Sequence, residues 1–276
     1  MRIAHVISRY NRGGTATWLN VLIREQRAAG HDVALLSGYV QGDEKEDPGF
    51  TNQNGIRIEN LGKKISFLSD IKAFLEIRKL IKELNPEVVN THTSKAGLLG
   101  RLATYSIGKR RPAIVHTYHG HILYGYYSPL ITTVFKTLEK LLSHTTDYFV
   151  ISGNRVKNEL KAEKVLGKVP FQIVRPGIDF PNSIEKKTHE KITIGWLGRL
   201  TKIKRPDRVI ELAMNFQHIN FLIGGEGELE SELKNSAPTN LKLLGWVKPE
   251  EFWPQCDIAL LTSGNEAQPI ALIEAA

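Results

Sequence analysis

Short apolar runs alternate with amphipathic helical patterns along almost the whole chain, and this alternation restricts the fold more than any other feature of the sequence. The first apolar run, residues 2–8, leads through a glycine loop into a helical pattern that ends at Gly30. A longer helical stripe over residues 70–84 carries an Asp near its start and is stopped by Pro86. Strands separated by helices of this size pair in parallel through right-handed crossovers, so the predicted fold class is α/β, doubly wound.

A polar interruption at residues 180–190 divides the pattern, and an apolar run resumes at Ile192. We interpret the interruption as a linker, which predicts one domain over residues 1–180 and a second over residues 191–276. The last helical pattern stops at Ala276 with its apolar stripe uncovered, so we expect the second domain to be incomplete. Further strands are predicted at 32–37, 56–61, 88–92, 114–119, 148–152, 171–174, 220–223, 242–246 and 257–262, and further helices at 96–107, 130–142, 156–166, 206–216, 228–235, 249–255 and from 269 onward.

The composition excludes several classes of protein. Of the 276 residues, 41% are hydrophobic and 24% are charged, which is typical of a globular chain rather than a fibrous or disordered one. The single cysteine, Cys256, excludes an internal disulfide and a cysteine-based zinc site, so we expect a reducing, cytoplasmic location. No window approaches 18 unbroken apolar residues and the first residues lack a signal-peptide pattern, so export and membrane spanning are not expected.

Positive charge is concentrated in the first two thirds of the sequence. Residues 1–184 hold 26 Lys and Arg against 16 Asp and Glu, whereas residues 185–276 hold 11 against 13. Such a surplus suits phosphorylated ligands, an anionic lipid surface or nucleic acid. Ordinary solvated surface is the alternative explanation.

Two candidate sites follow strands of the first domain, where open α/β sheets bind their ligands. The loop Gly13-Gly14 comes between the first strand and the first helix, and glycines there let a backbone approach an anion. A tight turn without function is the alternative. The segment from His116 through His119 to His121 ends the fifth strand. Strand alternation points His116 away from the other two, which favours a histidine that contacts substrate oxygen over a metal site.

The second domain offers two charged groups after its strands. Arg199 and Lys204 flank a loop that leads into a helix, where two cations could neutralise a diphosphate. Glu266 and Glu274 enclose Pro269, which favours a helix start, so Glu266 is predicted in a loop and Glu274 inside the helix. Exposed backbone N–H groups between the two carboxylates suit a phosphate, and the carboxylates suit sugar hydroxyls. A further glycine loop, 224–228, is either a turn near a nucleotide or a plain connection.

Taken together, these motifs resemble glycosyltransferase family 4, whose members are retaining, nucleotide-sugar-dependent enzymes of the GT-B architecture. The resemblance implies two Rossmann-like, doubly wound parallel-sheet domains that face a cleft, the first on the acceptor side and the second, here partial, binding the nucleotide sugar. Family members continue further beyond the second glutamate, and many have Gly where this chain has Ala267. The resemblance rests on residues 13–14, 95–101, 117–121, 174–179, Gly198 and Arg199 with Lys204, and the pair Glu266 and Glu274.

The resemblance also implies roles for individual residues of the donor site. Arg199 and Lys204 would bind the diphosphate, and Ile270 would donate its backbone N–H. Glu274 would bind the ribose and Glu266 the hydroxyls of the transferred sugar.

From the first domain, Gly14 would approach the donor and His119 would contact the sugar beside the reacting centre, so that His119 and Glu266 are the residues assigned to catalysis. Configuration would be retained through deprotonation of the acceptor by the departing phosphate or through a short-lived ion pair.

The implied partners are a nucleotide sugar, most plausibly a UDP-sugar, and a glycan or lipid-linked acceptor of surface-polysaccharide synthesis. No metal and no resident cofactor is expected, because fixed cations and helix dipoles stabilise the departing diphosphate. The basic first domain suggests peripheral contact with an anionic leaflet at the inner face of the cell membrane.

Three alternatives remain at this point: a nucleotide-sugar-binding protein without catalysis, a sugar-nucleotide epimerase of the same fold, and a nucleic-acid binder. The last has the least support, because no nucleic-acid recognition motif is present.

Overall fold

A computed structural model describes residues 1–42, 44–62, 64–120, 123–124, 128–179 and 190–276. The chain divides into two compact units, Met1–Gly177 and Ile178–Ala276. Most of the predicted linker, residues 180–189, lies outside the described residues. No helix in the described part of the chain is long and apolar enough to cross a membrane.

The first unit is built on one parallel seven-stranded sheet. In chain order its strands are β1 (Arg2–Ile7), β2 (Asp32–Ser37), β3 (Ile56–Arg57), β4 (Val88–His92), β5 (Ala113–Tyr118), β6 (Tyr148–Ile151) and β7 (Phe171–Ile173). Its helices are α1 (Gly14–Ala28), α2 (Gly49–Asn52), α3 (Phe67–Leu84), α4 (Ser94–Tyr105), α5 (Pro129–Ser143) and α6 (Asn154–Ala162). The strand order is β3-β2-β1-β4-β5-β6-β7, which places β1 between β2 and β4.

Helices cover both faces of this sheet, because each face carries its own apolar cluster. On one face, Ala73 and Ile77 of α3 and Ala96 of α4 pack against β1 and β4. On the other face, Leu19 and Ile23 of α1 pack against β1 and β2. The prediction of a doubly wound α/β sheet is therefore confirmed.

The second unit repeats this arrangement on a smaller scale. Its strands are β8 (Thr193–Leu197), β9 (Asn220–Gly224), β10 (Leu241–Leu243) and β11 (Ile258–Ala259), all parallel and in the order β10-β9-β8-β11. Its helices are α7 (Asp207–Asn215), α8 (Glu230–Ser236), α9 (Pro249–Phe252) and α10 (Ile270–Glu274), with 3-10 turns at Lys202–Lys204 and Trp253–Gln255. Val209 of α7 and Leu233 of α8 join one core cluster, and Phe252 of α9 joins a second.

Several predicted elements differ from the structure, and the strands predicted over residues 242–246 and 257–262 are the shorter strands Leu241–Leu243 and Ile258–Ala259. The strand predicted over residues 56–61 stops after Arg57, because Ile58 and Leu61 form a tight turn in which Leu61 N–H donates to Ile58 O at 3.2 Å. Both side chains are nevertheless fully buried, so their apolar character reflects the core rather than a strand. The polar stretch at residues 41–55, between β2 and β3, contains the short helix α2.

Candidate active site

The glycine loop after β1 has the geometry expected for a backbone that approaches a ligand. Gly13 has a φ of 145°, a conformation that favours glycine, and its carbonyl accepts from the N–H groups of Ala16 and Thr17. Gly14 begins α1 and is exposed. The first turn of the helix therefore presents its N–H groups at the carboxyl end of the sheet.

The same helix holds His119 in place. His119 follows β5 directly, and the ring of Trp18, one turn beyond Gly14, meets the imidazole edge-on with centroids 4.4 Å apart. Trp18 is buried, so it forms a fixed wall for the histidine. Gly14 and His119 thus lie at the same edge of the sheet, each after the carboxyl end of a strand.

His119, His92 and His5 form a hydrogen-bonded row of three imidazoles. His119 Nε2 lies 2.9 Å from His92 Nδ1, and His92 Nε2 lies 2.9 Å from His5 Nδ1. His5 Nε2 donates to the amide oxygen of Gln26 at 2.8 Å. Burial lowers the pKa of His5 to about 4 and that of His119 to about 3. Burial, with the neighbouring imidazoles, also holds the pKa of His92 well below its ordinary value, so the row is neutral at pH 7.

His116 lies among different neighbours, as strand alternation predicts. Its Nδ1 lies 2.8 Å from Thr91 Oγ1, and its ring meets Tyr118 edge-on at 4.5 Å. No group of three or more His, Cys, Asp or Glu side chains that could hold a metal ion occurs in the described ranges. His121, the third histidine of the predicted segment, lies outside them.

In the second unit, the loop after β8 that carries Arg199 packs tightly against the loop after β9. Gly198 N–H donates to Gly224 O at 3.0 Å, and Leu200 N–H donates to Glu226 O at 2.9 Å. A Cβ atom on Gly225 would lie 1.8 Å from Gly198 O, so glycine is required for this approach. The glycine loop at 224–228 therefore holds the backbone around Arg199 in position.

Lys204 and Glu266 form an ion pair, although 62 positions separate them. Ser263 Oγ donates to the same carboxylate at 2.8 Å. Thr262, which follows β11, bonds to both β8 and the turn that carries Lys204. Its hydroxyl accepts from the Trp196 indole N–H at 2.9 Å and donates to Lys204 O at 2.9 Å. A buried side chain of β8 thus fixes the position of the Lys204 backbone.

The helix α10 begins directly after Pro269, so Glu266 lies in the preceding loop and Glu274 at the last position of the helix. Within α10, Leu272 and Ile273 donate to Pro269 O at 3.1 and 3.4 Å, and the N–H of Ile270 precedes these first intrahelical bonds. Burial, together with Glu250 of α9, raises the pKa of Glu274 to about 7. A ligand hydroxyl would therefore meet a carboxyl group that exchanges its proton near neutral pH.

The structure brings Lys204 and Glu266 into contact, and Arg199 and α10 follow strands β8 and β11, which are neighbours in the sheet. The sequence analysis did not identify the side chains that hold His119, Lys204 and Glu266 in place. Two sequence signals could have identified some of them. One is a histidine inside each of two apolar strands, and the other is a pair of consecutive hydroxyl residues after a third strand. The missed residues are His5, Trp18, Gln26, His92, Thr262 and Ser263.

Comparison with known proteins decides the family. Residues 12–180 match the family described as Glycosyltransferase Family 4, and this range is more than half of the chain. The chain belongs to glycosyltransferase family 4. Residues 179–276 match the family described as Glycosyl transferases group 1.

Two curated bacterial relatives of this family 4 chain are similar over most of its length. The UDP-Gal:alpha-D-GlcNAc-diphosphoundecaprenol alpha-1,3-galactosyltransferase of Escherichia coli is 29% identical over 243 residues, which cover 79% of this chain and 62% of the relative. The capsular polysaccharide biosynthesis glycosyltransferase CapM of Staphylococcus aureus is 25% identical over 221 residues, covering 71% of this chain and 56% of the relative. The matches thus span less than two thirds of either relative.

Solved structures confirm the GT-B fold of the family 4 chain. The structure of HepE from Anabaena in complex with UDP and glucose aligns with a TM-score of 0.75 at 15% identity, over 100% of this chain and 78% of that one. At this identity the similarity concerns the fold alone.

Proposed function

We propose that this chain is part of a retaining glycosyltransferase that moves a sugar from a UDP-sugar to a glycan or lipid-linked acceptor in surface-polysaccharide synthesis. The observation that carries the proposal is the Lys204–Glu266 pair beside Ser263, at the carboxyl ends of neighbouring strands. The Lys204 ammonium can bind a phosphate and the Glu266 carboxylate can accept from hydroxyls. Because the two groups are in contact, they suit a ligand that bears both phosphates and hydroxyls.

The second unit would bind the donor. Arg199 would grip the diphosphate with its planar fork and Lys204 would add a point charge, while the N–H of Ile270 donates to a phosphate oxygen. Glu274 would accept from the ribose hydroxyls and Glu266 from the hydroxyls of the transferred sugar. Fixed positive charge stabilises the departing UDP, whose phosphate takes the proton of the acceptor hydroxyl.

The first unit would contribute Gly14 and His119. The exposed backbone of Gly14 allows close approach of the donor, and His119, held against Trp18, would contact a hydroxyl of the sugar beside the reacting carbon. Because burial keeps the pKa of His119 far below its ordinary value, the imidazole acts as a neutral hydrogen-bonding group rather than as a cation.

The names of the similar proteins support the choice of donor and acceptor. The E. coli relative uses UDP-Gal and an acceptor built on diphosphoundecaprenol, and the Anabaena structure contains UDP. The S. aureus relative acts in capsular polysaccharide biosynthesis. A UDP-hexose and a lipid-linked acceptor are therefore the proposed substrates.

Calorimetric titration of UDP in metal-free buffer tests the proposal directly. We expect the unaltered chain to bind UDP and the double variant Arg199→Ala/Lys204→Ala to lose binding. Lys202→Ala is the matched control, because Lys202 is exposed on the same 3-10 turn as Lys204. Absence of binding by the folded chain, or equal loss in the control, would contradict the proposed diphosphate site.

Turnover separates the proposal from two of the alternatives, the nucleotide-sugar-binding protein without catalysis and the epimerase. Acceptor-dependent consumption of the UDP-sugar supports transfer. Binding without consumption supports a nucleotide-sugar-binding protein, and conversion of the donor without any acceptor supports an epimerase.

Contact with an anionic membrane at its cytoplasmic face is also proposed, because two helices of the first unit expose apolar side chains. On α5, Leu130 is 78% exposed and Val134 is 52% exposed, with Lys140 exposed beyond them. Just before and within α3, Ile65 and Leu68 are 81% and 72% exposed. Apolar side chains flanked by lysines suit the interface of an anionic bilayer.

Vesicle co-sedimentation tests this contact. We expect sedimentation with vesicles that contain anionic lipid, weaker sedimentation with zwitterionic vesicles, and loss in Leu130→Ser/Val134→Ser. The control is Met214→Ser, an exposed apolar residue of the second unit. Sedimentation that does not depend on anionic lipid, or that is equal in both variants, would contradict the proposal.

A further inference from the structure

The row of imidazoles behind His119 connects four separate elements of the first unit. Gln26 belongs to α1, His5 to β1 and His92 to β4, and His119 follows β5. The three consecutive contacts measure 2.8, 2.9 and 2.9 Å, each within hydrogen-bonding distance. His5 and His92 are fully buried, so water does not compete for the bond between them.

The row has a direction, and Gln26 sets it. An amide oxygen accepts and cannot donate, so His5 carries its proton on Nε2. A neutral imidazole has one N–H, which leaves Nδ1 of His5 to accept from Nε2 of His92. The same reasoning makes Nδ1 of His92 accept from Nε2 of His119.

The far end of the row is therefore a lone pair on Nδ1 of His119. That atom is buried and has no hydrogen-bond partner in the described part of the chain. A buried polar atom without a partner costs free energy, which a ligand can recover by donating a hydrogen bond to it. The group that fits an acceptor nitrogen is a hydroxyl, whereas a carboxylate oxygen has no proton to donate and would be repelled.

We propose that Gln26, His5 and His92 are positioning residues that hold His119 in the Nε2–H tautomer, so that its Nδ1 accepts from a sugar hydroxyl and disfavours a sugar that presents a carboxylate there. The choice of a sugar as the ligand rests on the proposed function. The tautomer of His119 does not, because it follows from contacts inside the first unit.

Gln26 makes the proposal testable without disturbing the core, because it is only partly buried on the flank of α1. Gln26→Glu keeps an oxygen acceptor opposite His5 and preserves the direction of the row. Gln26→Leu removes the acceptor and leaves both directions available.

Nitrogen NMR of the unliganded chain, labelled with ¹⁵N-histidine, reads the tautomers. The His119 signals are assigned as those lost in His119→Gln. We expect an unprotonated Nδ1 and a protonated Nε2 in the unaltered chain and in Gln26→Glu, and a second population with protonated Nδ1 in Gln26→Leu. A protonated Nδ1 in the unaltered chain, or identical His119 signals in Gln26→Leu and Gln26→Glu, would overturn the proposal.

A second measurement addresses the ligand. Calorimetry compares a UDP-hexose with the corresponding UDP-hexuronate, and we expect the hexose to bind on the order of tenfold more tightly, with the ratio reduced in Gln26→Leu. Equal affinities in the unaltered chain would overturn the assignment of a hydroxyl. If UDP itself fails to bind, the proposed function and the sugar assignment fail together, whereas the NMR result still decides the role of Gln26.

Discussion

Lys204 Nζ donates to Glu266 Oε1, and this contact joins the two strand ends of the candidate donor site. If Lys204 binds a diphosphate as proposed, the carboxylate of Glu266 competes with that ligand for the cation. The two side chains are 26% and 17% exposed, so the pair is only partly screened by water. On binding a nucleotide sugar, Lys204 would exchange Glu266 for a phosphate, and Glu266 would exchange Lys204 for sugar hydroxyls.

Removal of the negative charge at Glu266 is therefore expected to strengthen the binding of UDP itself. In Glu266→Gln, Lys204 no longer has a carboxylate partner, and we expect UDP affinity to rise about threefold, the scale of a partly exposed ion pair. Affinity for a UDP-sugar should rise less, because the amide is a weaker acceptor for sugar hydroxyls. Calorimetry with both ligands measures the difference, and weaker binding of UDP by Glu266→Gln would refute it.

Thr262 is expected to matter through its hydroxyl rather than its methyl group. Thr262→Val leaves the buried Trp196 indole N–H without its acceptor and frees the carbonyl of Lys204, at a cost of about 1–3 kcal/mol. Thr262→Ser keeps the hydroxyl and is the matched control. Urea unfolding of the two variants, followed by tryptophan fluorescence, compares them. Equal midpoints would show that the hydroxyl contributes nothing.

A comparison of two glycines separates steric conflict from backbone strain. Both Gly225 and Gly245 have positive φ, 138° and 69°, but a Cβ at Gly225 would meet Gly198 O at 1.8 Å, whereas nothing lies within 4 Å of one at Gly245. We expect Gly245→Ala to cost about 1–2 kcal/mol from conformation alone. Gly225→Ala should cost more and also weaken UDP binding, because it displaces the loop of Arg199. Similar unfolding midpoints would contradict this explanation.

The sequence was sufficient to predict the order of the strands and of most helices along the chain, but not all of their boundaries, because their apolar periods are local. It placed the start of α3 at Asp70, whereas the helix begins at Phe67. The reason is that Asp70 is already inside the first turn, where its carboxylate accepts from the Ser66 N–H at 3.2 Å. Asp70 is thus a local signal for the start of the helix, but the prediction placed the first residue of the helix at Asp70 instead of three residues earlier.

The histidine row could not be predicted in the same way. His5 and His92 are 87 positions apart and meet only because β1 and β4 are neighbours in the sheet, although two strands lie between them in the sequence. That order is a property of the whole sheet, not of either segment. Sequence position alone marked His119, because it directly follows a strand.

The buried ion pair of the first unit is expected to respond asymmetrically to mutation. Arg101 is fully buried and donates to Glu139 Oε2 at 2.8 Å, and the same oxygen accepts from the Tyr118 hydroxyl at 2.6 Å. Glu139→Gln leaves the guanidinium without a counter-charge, which we expect to cost about 3–5 kcal/mol. The double variant Arg101→Met/Glu139→Gln should be more stable than Glu139→Gln alone, and urea midpoints give the comparison. A double variant less stable than the single one would contradict the argument.

The carboxyl of Glu274 is expected to make the second unit less stable as pH rises through the neutral range. Its pKa is raised to about 7, first by burial and then by Glu250, so the folded state holds the proton more tightly than the unfolded state. Between the ordinary pKa of a glutamate, about 4.3, and pH 7, the unfolded state therefore binds fewer protons, and stability falls as pH increases across that window.

Glu274→Gln removes the titration and should flatten the dependence of the urea midpoint on pH between 5 and 8. Glu250→Gln is the comparison variant, because it removes the nearby negative charge but leaves Glu274 buried. It should reduce the dependence of the urea midpoint on pH without abolishing it. Saturating UDP-sugar gives a further contrast if Glu274 meets the ribose, since a hydroxyl donated to the carboxylate favours its charged form and lowers its pKa. The slope should then shift to lower pH. An unaltered chain whose midpoint rises between pH 5 and 7, and rises equally in Glu274→Gln, would show that other groups control the pH dependence.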